Sequence, residues 1–409
     1  MTSTLEHDPR VQNSDQRPGL AGLLGEYRRK LARGDVGQLP VIVGLVVIAA
    51  VFQYFSDGVF LSRFNLVNLT FQMGAGGSIA VGVVLVLLLG EIDLSAGVVG
   101  GLSAAVMAVL NVRYGLSGPA AVAISVLVGM AVGAFQGTWT TRFGIPSFVV
   151  TLAGLIGWQG AMLYVLGRTG SINLLNPFIV GLAGTFFHGP MAYCFAALFI
   201  AYVAIAPMLR DRRRRAAGLT VPSTAVNLVR AVVITVLVIA VVILLEQDRG
   251  VSSGLLFLLG IVVTMDFVLR RTRFGRMIYA VGGNTEAARR AGIPVRRVRA
   301  LVFMLASMFA AWGGILGASR LLAVNQSAGQ GSVLINAIAA AVIGGTSLFG
   351  GRGSVWAALL GYTVIQSISN GMDLLSLDSS IKFMITGGVL LATVTIDAVL
   401  RGSGAQAGR

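Results

Sequence analysis

Charged side chains are scarce in this 409-residue chain, since Asp, Glu, Lys and Arg together make up only 11% of it. Soluble globular domains average about 25% charged residues, so this composition excludes the soluble class. Lysine is rarer still, and occurs only at Lys30 and Lys382. A phosphate-binding loop needs glycine-rich backbone and a lysine, and neither lysine lies in such a loop. The chain is therefore not expected to be an ATPase.

The residues that build most enzyme sites are also few. The chain has two histidines, His7 and His188, which are far apart in the sequence, and one cysteine, Cys194. A single cysteine cannot form an intrachain disulfide, and no metal or nucleophile site can be assembled from these residues. The sequence therefore predicts that the protein is not an enzyme and has no catalytic residue, metal site or cofactor.

Apolar sequence takes the place of charge: 56% of the residues are hydrophobic and the mean hydropathy is +0.84. The apolar runs recur along the chain, each near the ~20 residues with which a helix spans a bilayer. This pattern predicts an all-α polytopic membrane protein with about twelve transmembrane helices. We expect them near residues 39–56, 66–89, 94–112, 119–140, 147–166, 185–209, 223–245, 251–269, 299–318, 333–350, 354–372 and 381–400.

The net charge of +15 comes from arginines in the loops that flank these runs. Basic loops stay in the cytoplasm, so twelve spans place both termini inside and no nucleic-acid partner is expected. The predicted domains are a cytoplasmic tail over 1–37, a transmembrane domain over 38–401 and a cytoplasmic tail over 402–409. Glycine, asparagine and proline in 168–184 leave open a short or re-entrant element there.

The longest polar interruption, at about 270–299, is rich in arginine. Asn284 is placed to cap a helix, and the run Gly292-Ile293-Pro294 is placed to end it. Between them, small apolar residues recur at helical spacing, which predicts a short helix across the membrane face. From the residues alone, a basic anchor against anionic lipid is an equally good interpretation.

Four stretches carry a recognisable pattern, in chain order GEIDLSAG (90–97), FGIPSFVVTLAG (143–154), RTRFGRMIYAVGGNTEAARRAGI (271–293) and AIAAAVIGGTSLFGGRGSVWAALLG (337–361). They resemble the permeases of ATP-binding-cassette (ABC) importers for ribose, galactose, xylose and related sugars. The resemblance covers about residues 65–170 and 265–400. Glu91 stands where many relatives have glycine, and residues 205–250 add an apparent helix pair. Both departures resemble the xylose-type branch.

The resemblance implies a multi-pass permease in the bacterial inner or plasma membrane that acts by alternating access. Its implied partners are a second copy of itself, cytoplasmic ABC ATPase subunits, a periplasmic or extracellular sugar-binding protein and membrane lipid. The implied substrate is a monosaccharide, with D-xylose first and ribose, galactose or a nucleoside as alternatives. The loop at about 270–299 would carry the coupling helix, whose expected ATPase contacts are Asn284, Ala287, Ala288, Arg289, Gly292 and Ile293.

Acidic residues interrupt the apolar sequence at Glu91 and Asp93, and such residues are functional candidates in a membrane protein. They could cap the next helix, hold a broken helix on the translocation route, or relay protons or cations. The relay belongs to a different class of protein, an ion-coupled secondary transporter. Paired glycine-interrupted segments point to the pathway, and its candidate residues are Glu91, Asp93, Ser95, Gln136, Gln159, Asn336, Gly344 and Gly345. For Gln136, Gln159 and Asn336, as for Gln72 and Gln366, an interhelical hydrogen bond or an interface anchor is favoured over a contact with the sugar.

Overall fold

The computed structural model describes residues 39–218, 224–389, 391 and 395 of the chain. The predicted tails at 1–37 and 402–409 lie outside the described residues. The named helices are α1 (Leu39–Phe55), α2 (Arg63–Leu88), α3 (Ala96–Ala108), α4 (Gly118–Phe143), α5 (Ser147–Leu166), α6 (Pro177–Gly184), α7 (Pro190–Ala216), α8 (Thr224–Glu246), α9 (Ser253–Arg271), α10 (Arg273–Gly283), α11 (Thr285–Arg290), α12 (Val295–Leu321), α13 (Ser332–Ile343) and α14 (Val355–Leu374). A further helix runs over 379–389. The all-α prediction is confirmed.

Short elements complete the description. A π-helical turn at Val109–Arg113 extends α3, and a 3-10 turn at Gly167–Thr169 follows α5. Two antiparallel strand pairs are present: β1 (Ser171–Asn173) with β4 (Ala323–Asn325), and β2 (Phe186–Phe187) with β3 (Val251–Ser252).

Within the described residues, eight helices are long and apolar enough to cross a membrane. They are α2, α3 with its π turn, α4, α5, α7, α8, α9 and α12. Two other predicted spans, at 39–56 and 333–350, contain shorter apolar helices. The span predicted at 333–350 is wrong at its end, because α13 stops at Ile343 and glycine-rich turns follow. The span predicted at 381–400 lies partly outside the described residues.

The segment 168–184 forms a short element, which was one of the two alternatives considered. Strand β1 is followed by α6, which has only eight residues. Asn176 caps α6, because its side-chain oxygen accepts hydrogen bonds from the backbone N–H groups of Phe178 and Ile179. Pro177 suits the first helical position, where its missing N–H would have no helical partner.

The chain divides into two compact units. One contains residues 1–36, 193–241 and 400–409, and the other contains 37–192 and 242–399. In the described part of the first unit, Asn227 of α8 donates a hydrogen bond to Asp211 of α7, 2.7 Å between Nδ2 and Oδ2. A helix pair therefore occupies the region in which the sequence suggested an additional one.

The second unit is organised around α2 and α12. Glycine and alanine let these helices pack at backbone distance: a Cβ at Gly82 of α2 would lie 2.7 Å from the carbonyl oxygen of Ala306. On α12, a Cβ at Gly314 would overlap the backbone of Gly100 of α3. Small residues at such crossings are typical of membrane helix packing. This packing fixes the ends of α2, α3 and α12, where the polar residues lie.

Candidate functional site at two helix breaks

The first break separates α2 from α3 and is held by polar side chains. Gly90 turns the chain with φ +75°. Asp93 Oδ1 then accepts hydrogen bonds from the backbone N–H of Ser95 (2.8 Å) and from its hydroxyl (2.7 Å). Gln136 of α4 donates its Nε2 to the Ser95 hydroxyl oxygen at 2.9 Å. These contacts tie the start of α3 to α4.

The three polar residues of this break are buried, with Asp93 at 4%, Ser95 at 0% and Gln136 at 1% exposure. Burial raises the pKa of Asp93 above its ordinary value, and the hydrogen bonds from Ser95 partly offset that rise. Asp93 holds the turn that precedes α3, and its network links the interrupted helix to α4. The position of this break on the translocation route stays a prediction.

Glu91 connects the first break to the arginine-rich loop. Its Oε1 lies 3.0 Å from Nη2 of Arg299, and both side chains are mostly buried. The same nitrogen of Arg299 is 3.4 Å from the hydroxyl of Thr285, the first residue of α11. Arg299 therefore links the α2–α3 break to the beginning of α11.

The second break separates α13 from α14 and is closed mainly by backbone contacts, with one side-chain hydrogen bond from the N–H of Phe349 to the hydroxyl oxygen of Ser347. Four of its glycines, at positions 345, 350, 351 and 353, have positive φ. The backbone N–H of Ser347 donates to the carbonyl of Arg352 at 2.9 Å and closes the turn. Glycine adopts these φ values without the steric cost that a Cβ would add.

The two breaks meet each other and the end of α10. The N–H of Gly351 donates to the carbonyl of Leu88 at 2.9 Å. A Cβ at Gly350 would lie 2.7 Å from Gly90 N and 2.8 Å from Gly282 O, and a Cβ at Gly282 would overlap the Leu88 carbonyl oxygen. We call this contact of residues 88–90, 282–283 and 350–353 the glycine junction. A Cβ at Gly282, Gly350, Gly351 or Gly353 would lie within 3.0 Å of neighbouring atoms.

The arginine-rich loop forms two helices, α10 and α11, where the sequence predicted one. Asn284 caps α11, because its Oδ1 accepts a hydrogen bond from the N–H of Ala287 at 2.9 Å. Gly292 ends the turn with φ +79°, and the N–H of Ile293 donates to the carbonyl of Ala288. Both local predictions, the cap and the stop, agree with this structure.

The six expected contact residues do not share one face. Asn284, Ala287, Arg289 and Gly292 are exposed. Ala288 is only 4% exposed and belongs to the core, and Ile293 packs against the same core. Residues one position apart on a helix point about 100° from each other, so Ala288 can face the core while Ala287 and Arg289 face outwards. Ala288 therefore anchors α11 to the membrane helices. The contact of these six residues with an ATPase stays a prediction, and the structure adds that two of them, Ala288 and Ile293, pack against the core.

The remaining pathway candidates lie elsewhere. In the part of the chain that the structure describes, no hydrogen bond joins Gln159 of α5 or Asn336 of α13 to either break. Gly344 packs tightly, because a Cβ there would overlap the backbone of Ala357 in α14, whereas Gly345 is exposed. Gln366 donates a hydrogen bond to Gln72 between α14 and α2, which confirms the interhelical interpretation for this pair.

Sequence reasoning missed three members of the site: Arg299, Tyr279 and Gly282. Tyr279 of α10 donates its hydroxyl to the carbonyl of Gly353 at 2.9 Å and reinforces the glycine junction. The sequence signal that could have indicated Gly282 was the pair of adjacent glycines, 282 and 283, at the end of a helix. Among the described residues, no group of three or more His, Cys, Asp or Glu could hold a metal ion.

Residues 65–394 match a family model described as "Branched-chain amino acid transport system / permease component". The xylose transport system permease protein XylH of Escherichia coli K12 is 34% identical over 88% of this chain and 91% of its own length. The same protein of Haemophilus influenzae is 33% identical over 88% of this chain and 96% of its own length. The ribose import permease RbsC of Bacillus subtilis is 30% identical over 91% of this chain and 96% of its own length.

No solved structure shows a significant match to this chain. The family model nevertheless covers most of the sequence, and the related permeases match it over almost their full length. These findings confirm the resemblance that the four sequence stretches indicated. The chain is a multi-pass membrane protein, and it belongs to the family of transport-system permease components that includes the xylose and ribose permeases.

Proposed function

We propose that this chain is the membrane permease subunit of an ABC importer that carries D-xylose across the bacterial cell membrane. The observation that carries this proposal is the similarity to xylose permeases, which extends over 88% of the chain. Ribose is the second candidate substrate, because a ribose import permease is 30% identical over 91% of the chain.

In this proposal the energy comes from separate ATPase subunits, and the permease itself catalyses no reaction. The ATPases contact the exposed side of α11, which presents Asn284, Ala287, Arg289 and Gly292. The arginine-rich loops face the cytoplasm, with both termini on that side. A second copy of the chain completes the translocation unit, and a sugar-binding protein delivers the sugar from the opposite side.

The glycine junction supports a mechanical role for the loop. Movement of α11 reaches Gly282 and Gly283 directly, and these residues contact both helix breaks. A second connection runs from Thr285 through Arg299 to Glu91. Backbone contacts of this kind transmit displacement because there is no flexible side chain between them to absorb it. Closure of the ATPases would therefore move both breaks together.

The buried and exposed pathway candidates then have different roles. Asp93, Ser95 and Gln136 are buried and hydrogen-bonded, so they hold the break that moves. Gln159 is partly exposed and Gly345 is exposed, so a sugar can reach both, whereas the Oδ1 atom of Asn336 is buried. Polar groups that the sugar can reach would guide it without binding it tightly, which suits a molecule that must leave again.

The proposal is tested by reconstituting the chain in vesicles with its ATPase and its sugar-binding protein. We expect xylose uptake that requires ATP and exceeds ribose uptake when the two sugars compete. Uptake that persists without the ATPase and collapses with the ion gradient would instead establish an ion-coupled transporter that uses Glu91 and Asp93. Uptake of ribose in preference to xylose would change the substrate and leave the class intact.

The coupling role is tested by a matched pair of substitutions at adjacent glycines. Gly282→Ala places a methyl group against the carbonyl of Leu88, whereas Gly283→Ala meets no atom within 4 Å. In the complex, we expect Gly282→Ala to lose sugar uptake while ATP hydrolysis continues, and Gly283→Ala to retain both. Equal effects of the two variants would show that the junction does not transmit movement.

A further inference from the structure

A basic pocket lies beside α11 and is separate from the glycine junction. It has a volume of about 870 Å³ and is lined by the end of α4, by α11 and by the start of α12. Five arginines line it, and no acidic side chain does: Arg142, Arg289, Arg296, Arg297 and Arg299. Like charges around one cavity repel each other, so an anionic occupant would stabilise those arginines that no carboxylate balances.

Only part of this charge is balanced within the described chain. Arg299 pairs with Glu91, and Arg289 pairs with Glu286 on the exposed side of α11. Among the described residues, no ion pair involves Arg142, Arg296 or Arg297. In addition, α12 starts at Val295 without a side-chain cap. The positive end of its helix dipole therefore adds to the attraction for an anion.

An exposed row of aromatic rings leads away from the pocket along α4. Phe143 lines the pocket, and its ring centroid lies 4.7 Å from that of Trp139, which lies 5.2 Å from that of Phe135. Their exposed fractions are 55%, 43% and 49%. At four-residue spacing they occupy one face of α4 and form an apolar track about 12 Å long. The track runs into a helix long enough to span the membrane.

The pocket and the track have to be explained together. A free inorganic anion would satisfy the arginines but would leave the aromatic track uncovered. An acidic protein surface would do the same. A phospholipid presents a phosphate group and an acyl chain joined at a fixed point, in the order in which the arginines and the rings occur. Basic pockets between membrane helices bind the headgroups of anionic lipids.

We propose that this site binds an anionic phospholipid, with its phosphate among Arg142, Arg296 and Arg297 and an acyl chain along Phe143, Trp139 and Phe135. The lipid would fill the space between the end of α4 and the first turn of α12, next to α11. It would thereby brace the segment on which the loop moves.

The experiment compares two lipids and one soluble headgroup on the purified full chain in detergent. We expect phosphatidylglycerol to be retained in native mass spectra and to raise the apparent Tm, and phosphatidylcholine and glycerol phosphate to do neither. The double variant Arg142→Gln/Arg296→Gln should retain at least tenfold less phosphatidylglycerol. Trp139→Ala should weaken lipid retention while leaving any binding of glycerol phosphate unchanged.

A matched control removes two exposed arginines far from the pocket in sequence, as Arg63→Gln/Arg168→Gln, and should retain phosphatidylglycerol like the wild type. If the double glutamine variant does not fold, the variant Arg142→Lys/Arg296→Lys keeps both charges and should retain the lipid. The comparison of the two lipids on the wild type then tests the proposal. Equal retention of phosphatidylglycerol and phosphatidylcholine would overturn the proposal. So would displacement of phosphatidylglycerol by glycerol phosphate, or unchanged lipid retention in the Arg142→Gln/Arg296→Gln variant.

Discussion

The two helix breaks of this protein lie in contact but are held by different means. Between α2 and α3, side chains hold the chain, through the Asp93–Ser95–Gln136 network and the Glu91–Arg299 ion pair. Between α13 and α14, the backbone closes on itself through glycines with positive φ. The first break should therefore respond to changes of charge and the second to any added side chain.

This difference has a physical reason. A side-chain network can be weakened by single groups, since each hydrogen bond contributes about 0.5–1.5 kcal/mol. The stability of a packed glycine turn cannot be lowered in such small steps, because an added methyl group either fits or displaces the backbone. The glycine junction joins the two breaks, so the protein combines an adjustable connection with a rigid one.

Among substitutions within the two breaks, the largest expected effect is in the second, at Gly351→Ala. Its φ of +70° and a Cβ only 2.8 Å from Gly283 Cα add steric strain to overpacking. Left-handed strain costs about 1–2 kcal/mol and overpacking about 1–3 kcal/mol, so we expect a loss of about 4 kcal/mol in unfolding free energy. Gly345→Ala has φ +96° and open space, and should lose only the strain. Denaturant unfolding in detergent measures both, and equal losses would show that the close approach is unimportant.

A smaller effect is expected in the first break, at the Glu91–Arg299 pair. Arg299→Gln leaves the Glu91 carboxylate mostly buried without its partner. Exposed pairs are worth under about 1 kcal/mol, whereas breaking a buried pair costs about 3–5 kcal/mol, so we expect about 2 kcal/mol here. In a double-mutant cycle with Glu91→Gln, the double variant should lose less unfolding free energy than the two single variants lose together.

The control for this cycle is the exposed pair Glu286–Arg289, whose side chains are 57% and 65% exposed. Its coupling energy should stay below about 0.5 kcal/mol, because solvent screens the charges. If both cycles give the same small coupling energy, the Glu91–Arg299 ion pair does not hold the first break. The difference between the two breaks would then rest on the Asp93 network alone.

The smallest effect is expected for Asp93→Asn, which keeps the acceptor oxygen facing Ser95 and removes the buried charge. The pKa of Asp93 is raised by burial, so in the folded protein the Asp93 carboxyl group keeps its proton at pH values at which it has lost that proton in the unfolded chain. Wild-type stability should thus fall as the pH rises from the ordinary aspartate pKa through the raised one. The Asn variant lacks this fall, so its stability relative to the wild type should rise with pH across that range. A variant that loses stability with rising pH relative to wild type would contradict this.

Sequence reasoning succeeded where the structure depends on near neighbours. Asn284 as a cap and Gly292 as a stop were predicted because both roles are set by residues within one turn. It could not give a side-chain direction that depends on packing, as with Ala288, which faces the core. It also placed the end of a span at 350 instead of Ile343, because hydropathy does not register the turns that follow.

The family itself could be predicted from four short stretches, and matches to known permeases over most of the chain confirmed it. The ion pair between Glu91 and Arg299 could not be predicted from the sequence, since 208 positions separate the two residues and several arginines in the loop were equally plausible partners.

The sequence alone determined that this is a helical membrane protein with a short capped helix in an arginine-rich loop. Hydropathy and capping act over a few residues, and their signals are readable in order along the chain. Only the tertiary structure decided that Leu88, Gly282 and Gly351 touch. That contact depends on how closely whole helices approach, and the sum of many packing contacts sets this distance.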